Sequence, residues 1–259
     1  MSVPAAPLRL FAAATRPEQA AIAKGGELIR RALHEAGASA IAPIELRLAA
    51  PPEAPGATAL PEIAPDIAPD IAITSPLADL ARPEAAPQAA FARWADYLRA
   101  LQDQGATVFV CTAFRHVPPD IGPTPATREA LVARIRRMNL LAIELSHRLA
   151  INVIDIDSRL AFHGARWVSG DFRLGTPRAV LAAGHAVAQA LLAHGLDGFA
   201  APALQEKALA WLAAPDRLPA LLAAEAPVPR PEIALPPQSA PAQTAPALST
   251  RPQTAGPRA

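Results

Sequence analysis

The most informative segment of this 259-residue chain is Ser169-Gly-Asp-Phe-Arg-Leu-Gly-Thr-Pro-Arg-Ala-Val-Leu-Ala-Ala-Gly-His-Ala-Val-Ala-Gln-Ala-Leu-Leu192. Its first part is typical of a loop and carries one acidic residue, Asp171. Thr176 and Pro177 then predict a helix start, since threonine caps helices well and proline suits the first helical position. His185 lies beside the apolar stripe of this helix. The stripe repeats at helical spacing and consists of Val180, Gly184, Val187 and Leu191.

The rest of the chain alternates predicted strands and helices, which favours a three-layer α/β fold. The predicted strands are Leu8–Ala14, Ala40–Leu48, Ile71–Thr74, Thr107–Thr112 and Ile151–Ile156. The predicted helices are Glu18–Ala36, Ala89–Gln104, Thr124–Ala150, Thr176–Gly195 and Leu204–Leu212. We therefore expect one flavodoxin-like domain over residues 1–225, with a central parallel sheet. Residues 226–259 are rich in proline and alanine and predict a disordered tail.

The composition excludes several classes of function. A net charge of +1 gives no general attraction to nucleic acid or anionic membranes. A single cysteine excludes an internal disulfide and a paired-cysteine metal site. No phosphate-binding glycine motif occurs, and the histidines lack metal-ligand spacing, so we expect no cofactor and no metal. The N-terminus lacks the pattern of a signal peptide, and no apolar run approaches about 18 residues, which predicts a soluble, cytoplasmic protein.

The order of these segments over roughly residues 8–196 resembles the SGNH/GDSL hydrolases. Pro69–Leu80 is similar to the family's third block, and Gly105–Thr112 is similar to the strand that follows. The loop around Asp171 and the sequence Ala183-Gly184-His185 resemble the last block and its helix. The resemblance implies an esterase or acyltransferase acting on an acylated carbohydrate or another small ester. It also suggests an accessory role, because related bacterial proteins often accompany polysaccharide modification.

The residues that perform the chemistry in this family are replaced here. The nucleophilic serine corresponds to Thr15, and the histidine that follows the loop acid corresponds to Leu174. In the third block, the glycine and asparagine that bind the oxyanion correspond to Pro76 and Ala78, and only Asp79 is retained. The other oxyanion donor of the family, a glycine of the second block, corresponds to Gly56. Loss of one such donor typically slows catalysis by about 10²–10³.

Three hypotheses remain open at this point. The first is a catalytically degenerate protein that binds a small molecule or carbohydrate, or serves as an accessory protein. The second is an active enzyme with a relocated site, in which Thr15 or Ser75 is the nucleophile, His116 or His185 the base and Asp171 the orienting acid. The third is an unrelated α/β protein whose segment order imitates the family. The sequence identifies no protein partner.

Three further polar features stand out, two at predicted strand ends and one on a helix. Asp155 and Asp157 are spaced so that both carboxylates lie on one face of a strand, as in some Mg²⁺ sites, but no third ligand is evident. The basic run Arg134-Ile-Arg136-Arg137 belongs to the polar face of a long helix and is predicted to be solvated. Arg115 and His116 follow a strand end and are candidates to face the crevice at the carboxyl edge of the sheet.

Overall fold

Five parallel strands form the centre of the computed structural model, which describes residues 6–39, 41–49, 68–81, 87–121, 124–168 and 170–225. Gly56 and the predicted tail 226–259 lie outside these residues. The strands are β1 (Leu8–Ala13), β2 (Ile44–Ala49), β3 (Ile71–Thr74), β4 (Thr107–Cys111) and β5 (Asn152–Ile154). The helices are α1 (Arg16–Glu35), α2 (Pro87–Asp103), α3 (Pro125–Leu149), α4 (Ile156–His163), α5 (Ala165–Val168), α6 (Pro177–His194), α7 (Pro202–Ala213) and α8 (Arg217–Ala224). A short 3₁₀ helix, Pro76–Ala81, follows β3.

The strand order is β2-β1-β3-β4-β5, and every neighbouring pair is parallel. This is the doubly wound order in which the chain leaves β1 in one direction and returns on its other side at β3. Ala13 pairs with Thr74, so the carboxyl ends of these two strands meet at one level. Ligands in such sheets bind beyond the carboxyl ends, close to this point of reversal.

Helices cover both faces of the sheet, which confirms the predicted three-layer architecture. Side chains alternate along β1, where Leu10 and Ala12 pack beneath α1 and α6, and Phe11 and Ala13 pack beneath α2 and α3. The helices α7 and α8 pack against α6 and extend the first layer.

Close packing of α1 on α6 explains the glycine of the Ala183-Gly184-His185 sequence. A Cβ atom on Gly184 would lie 2.8 Å from the Ala21 carbonyl oxygen, and one on Gly25 would lie 2.7 Å from a methyl group of Val187. Both distances are shorter than van der Waals contact, so the two helices approach at glycine. The motif is therefore accounted for by helix packing.

Four short elements depart from the sequence-based expectation. The 3₁₀ helix, α4, α5 and α8 were not predicted, and the strand expected over Ile151–Ile156 ends at Ile154. Ile156 instead begins α4, with Asp155 as its N-cap. The expectation that Asp155 and Asp157 share one face of a strand is therefore wrong, because both belong to the start of a helix. Within the described part of the chain, no helix has the length and apolar character needed to cross a membrane.

Candidate functional site

Thr15 and Ser75 meet at the carboxyl ends of β1 and β3 through a shared acid, Glu18. The Thr15 hydroxyl donates to Oε2 of Glu18 at 2.7 Å, and the Thr15 backbone N–H donates to the same oxygen at 3.0 Å. The Ser75 hydroxyl donates to the other carboxyl oxygen, Oε1. These three residues are named the hydroxyl–carboxyl cluster. It links the first turn of α1 to the end of β3.

The hydroxyl–carboxyl cluster is closed to solvent on its Ser75 side. Ser75 is 0% exposed and Glu18 is 2% exposed, whereas Thr15 is partly exposed. The Ser75 oxygen also accepts the backbone N–H of Leu77 at 3.1 Å. Burial raises the pKa of Glu18, although its hydrogen bonds from Ser75 and Thr15 oppose the shift. Of the two candidate nucleophiles, only Thr15 is therefore within reach of a substrate in this conformation.

Glu18 was not among the predicted site residues, although the sequence contains a signal for its position. Thr15-Arg16-Pro17-Glu18 matches the pattern of a capping box, in which a glutamate at the third helical position returns to the N–H of the capping residue. Because this pattern directly follows a buried strand, it places the glutamate at the carboxyl edge of the sheet.

His116 and Asp171 lie in neighbouring loops. The Phe172 N–H donates to the His116 carbonyl at 3.1 Å. The Asp171 carboxylate, however, binds Arg173, with Oδ2 2.5 Å from Nη2 of that guanidinium. Burial opposes ionisation of Asp171, but hydrogen bonds from Arg173 and the charges of Arg173 and His116 hold its pKa below the usual range. Among the described residues, the His116 side chain has no hydrogen bond to Asp171, Thr15 or Ser75.

His185 lies inside the helical layer of the first face. It is 2% exposed, and its Nε2 donates to the Leu212 carbonyl of α7 at 2.9 Å. Its Nδ1 is buried and has no hydrogen-bond partner within the described part of the chain. Burial lowers its pKa to about 4, so the ring is neutral at pH 7. This geometry joins α6 to α7 and brings His185 to neither Thr15 nor Ser75.

Leu174, which the resemblance aligns with a histidine, is part of the core. Its side chain is 3% exposed and belongs to the cluster beneath α6. Its φ of 51° lies in the left-handed region, which leucine rarely adopts. The loop around Asp171 thus places an apolar anchor where the resemblance implies a base.

Asp79 anchors the 3₁₀ helix to α2. Its carboxylate accepts the indole N–H of Trp94 at 2.6 Å and lies 2.5 Å from Nη2 of Arg93. The aspartate is 5% exposed. Pro76 begins the 3₁₀ helix, and Gly56 lies outside the described residues. Asp79 thus holds the 3₁₀ helix and α2 together.

A second polar region lies at the carboxyl ends of β4 and β5. A cavity of about 380 Å³ opens between α3 and the first turn of α4, and we name it the β4–β5 cavity. Its lining consists of Thr112, Arg115, Arg136, Asn139, Leu140, Ile143, Asp155, Asp157 and Ser158. In the described ranges, no group of three or more His, Cys, Asp or Glu side chains is placed to hold a metal ion.

The comparisons with known proteins are sparse. The sequence matches no protein-family model, and no similar curated protein was found. Among solved structures, the crystal structure of TesA is similar to this chain with a TM-score of 0.42 and 15% sequence identity. The match covers 74% of this chain and 100% of the TesA chain. The strands and helices themselves define a doubly wound α/β protein, and membership of the SGNH/GDSL family stays a prediction.

Proposed function

We propose that this protein is a catalytically degenerate SGNH-like protein that acts by binding a ligand or assisting another protein. The observation that supports this proposal is the hydroxyl–carboxyl cluster. A serine or threonine nucleophile needs a base that accepts its proton and is itself oriented by a third group. Here both candidate hydroxyls bond to one buried carboxyl, and neither bonds to a histidine among the described residues.

The oxyanion side of the site gives independent support. Pro76 has no backbone N–H, and an alanine at position 78 has no side-chain donor. The N–H of Leu77 is already bound to the Ser75 oxygen. A developing negative charge on a substrate carbonyl would therefore lack the donors that this family uses, at a cost of about 10²–10³ in rate for each donor.

The alternative function is an esterase or O-acyltransferase centred on Thr15. The observation that favours it is the position of His116 beside Asp171, whose charges interact. This enzyme would need His116 to reach the Thr15 hydroxyl in place of Glu18, and Asp171 to exchange Arg173 for His116. Either function places the ligand, a small molecule or carbohydrate, at the carboxyl edge of the sheet.

Turnover of short-chain p-nitrophenyl esters by the full chain separates the two functions. We expect the wild-type protein and Thr15→Ala to hydrolyse the esters at the same background rate. Thr107→Ala is the matched control, because Thr107 is exposed and lies at the opposite end of the sheet. Hydrolysis that is lost in Thr15→Ala and His116→Ala but kept in Thr107→Ala would establish the enzyme and overturn the proposal.

A further inference from the structure

We propose that the β4–β5 cavity binds a small organic anion that also carries hydroxyl groups, of the size of a sugar acid or sugar phosphate. This inference rests on the binding function proposed above and assigns it a site. The cavity lies where β4 and β5 end, at the edge at which doubly wound sheets bind ligands. Its ligand class follows from the polar groups that the fold leaves without partners.

Arg115 is held in place from behind by a buried carboxylate. Asp157 accepts the Arg115 backbone N–H at 2.9 Å, and its Oδ2 lies 2.5 Å from Nε of the same residue. The side chain of Asp157 is 8% exposed, whereas that of Arg115 is 47% exposed. The terminal Nη groups of Arg115 have no partner among the described residues. A guanidinium fixed through Nε in this way presents its remaining N–H donors to the cavity.

Asn139 completes this support by donating to Asp157 as well. Its side-chain nitrogen donates to Asp157 Oδ2 at 3.2 Å and to the Ala113 carbonyl at 2.9 Å. Its oxygen accepts the Ala113 N–H at 2.8 Å. Both oxygens of Asp157 and the whole amide of Asn139 are thus occupied. They act by positioning Arg115.

Arg136 supplies a second cation to the same cavity. It is exposed and has no hydrogen bond or ion pair in the described part of the chain. The lining also contains Asp155 and Asp157, so its formal charge is zero, and an anion is favoured at the two guanidinium groups, whose donors match the oxygens of a carboxylate or phosphate. The N–H groups of Asp157 and Ser158 in α4 are bound to Thr112 and Asp155, so anion binding depends on the arginines.

The cavity also contains groups suited to hydroxyls. The Thr112 hydroxyl and the Ser158 N–H both donate to Oδ1 of Asp155, each at 3.0 Å. The other carboxyl oxygen of Asp155, Oδ2, is left as an acceptor. The Ser158 hydroxyl has no partner within the described ranges. A ligand hydroxyl can donate to Asp155 and accept from Ser158.

The volume of the cavity and its apolar wall indicate the size of the ligand and the presence of an apolar face on it. A volume of about 380 Å³ exceeds that of a lone carboxylate or phosphate, since one water occupies about 30 Å³ in the liquid. Leu140 is 69% exposed and Ile143 is 40% exposed, and both line the cavity. They offer a surface against which the C–H face of a sugar ring can pack.

Calorimetric titration of the full chain with glucuronate, glucose 6-phosphate, inorganic phosphate and glucose tests the proposal. We expect both hydroxylated anions to bind more tightly than inorganic phosphate or glucose alone. Arg136→Gln should weaken both by about tenfold, the usual scale for loss of a charged hydrogen bond. Arg137→Gln is the matched control, because it removes the same charge one residue away and lines the neighbouring groove with Phe91. It should leave the affinity unchanged.

Two results would overturn the proposal. One is the absence of measurable binding of either hydroxylated anion to the folded protein. The other is equal weakening by Arg136→Gln and Arg137→Gln, which would indicate general charge attraction to α3. Threonine-dependent ester hydrolysis would contradict the degenerate function without changing either binding result, so the two failures are distinguishable.

Discussion

The hydroxyl–carboxyl cluster and the β4–β5 cavity lie along the same edge of the sheet, and each contains a buried carboxyl. At β1 and β3, both oxygens of Glu18 accept hydroxyls, and the fully buried Ser75 closes the region. At β4 and β5, Asp157 is equally occupied, but the arginine that it holds faces an open cavity. Burial of an acid therefore does not identify a functional site. What distinguishes the β4–β5 cavity is that Arg115, which its acid holds, has donors without partners among the described residues.

The largest effect on stability should follow from removing the acid of the closed region. Glu18→Ala leaves the Thr15 N–H, the Thr15 hydroxyl and the buried Ser75 hydroxyl without their acceptor. We expect the free energy of unfolding to fall by about 3–4 kcal/mol, since each unsatisfied buried group costs about 1–3 kcal/mol. Urea denaturation followed by circular dichroism measures this change.

The control for this variant is Glu27→Ala in the same helix. Glu27 pairs with Lys24 at 2.7 Å, but its side chain is 56% exposed, so its loss should cost less than about 1 kcal/mol. Equal losses in the two variants would show that the hydroxyl–carboxyl cluster does not stabilise the junction of β1, α1 and β3.

Acid should lower the free energy of unfolding by a similar amount through His185, which belongs to neither of the two regions. Burial lowers the pKa of His185 to about 4 in the folded protein, whereas an unfolded histidine titrates near 6.5. The unfolded chain therefore takes up the proton first, so stability is complete above pH 6.5 and is lost as the pH falls toward 4. The loss should reach about 3 kcal/mol. The raised pKa of Glu18 acts in the opposite direction, since its contribution is lost as the pH rises.

Unfolding measured between pH 7 and pH 4 in wild type and His185→Gln checks this assignment. Glutamine keeps a donor for the Leu212 carbonyl and does not titrate. The stability of the variant should change less with pH over this range. A variant with the same pH dependence as wild type would mean that other groups control acid unfolding.

The fold was predictable because its signals are local and repeated. Thr124 and Thr176 were predicted as helix caps, and each accepts the backbone N–H three residues later at 3.2 Å. The strand Ile71–Thr74 has the predicted bounds. The change from β5 to α4 could not be found in the same way, because apolar residues stand on both sides of Asp155, at Ile154 and Ile156, and favour a strand that continues.

The site was less predictable, because it depends on which distant residues meet. Ser75 and Glu18 are 57 positions apart and contact only through the parallel pairing of β1 and β3. Arg115, Asn139 and Asp157 come together from three separate elements. In the sequence, Arg115 is predicted as a loop residue, Asn139 as a helix residue and Asp157 as an acid at a strand end. Only the folded topology shows that Asp157 holds Arg115 at the edge of a cavity.

The smallest expected effect on stability completes the comparison. Arg136 is exposed and has no partner within the described residues, so Arg136→Gln should change the free energy of unfolding by no more than about 0.5 kcal/mol. The same variant should lose about tenfold in affinity for hydroxylated anions. Glu18→Ala should show the reverse pattern in the fraction that remains folded, with reduced stability and unchanged affinity. Denaturation and titration of the two variants in parallel measure both quantities. A large loss of stability in Arg136→Gln would mean that this arginine supports the fold, and the distinction between a closed structural region and an open binding region would fail.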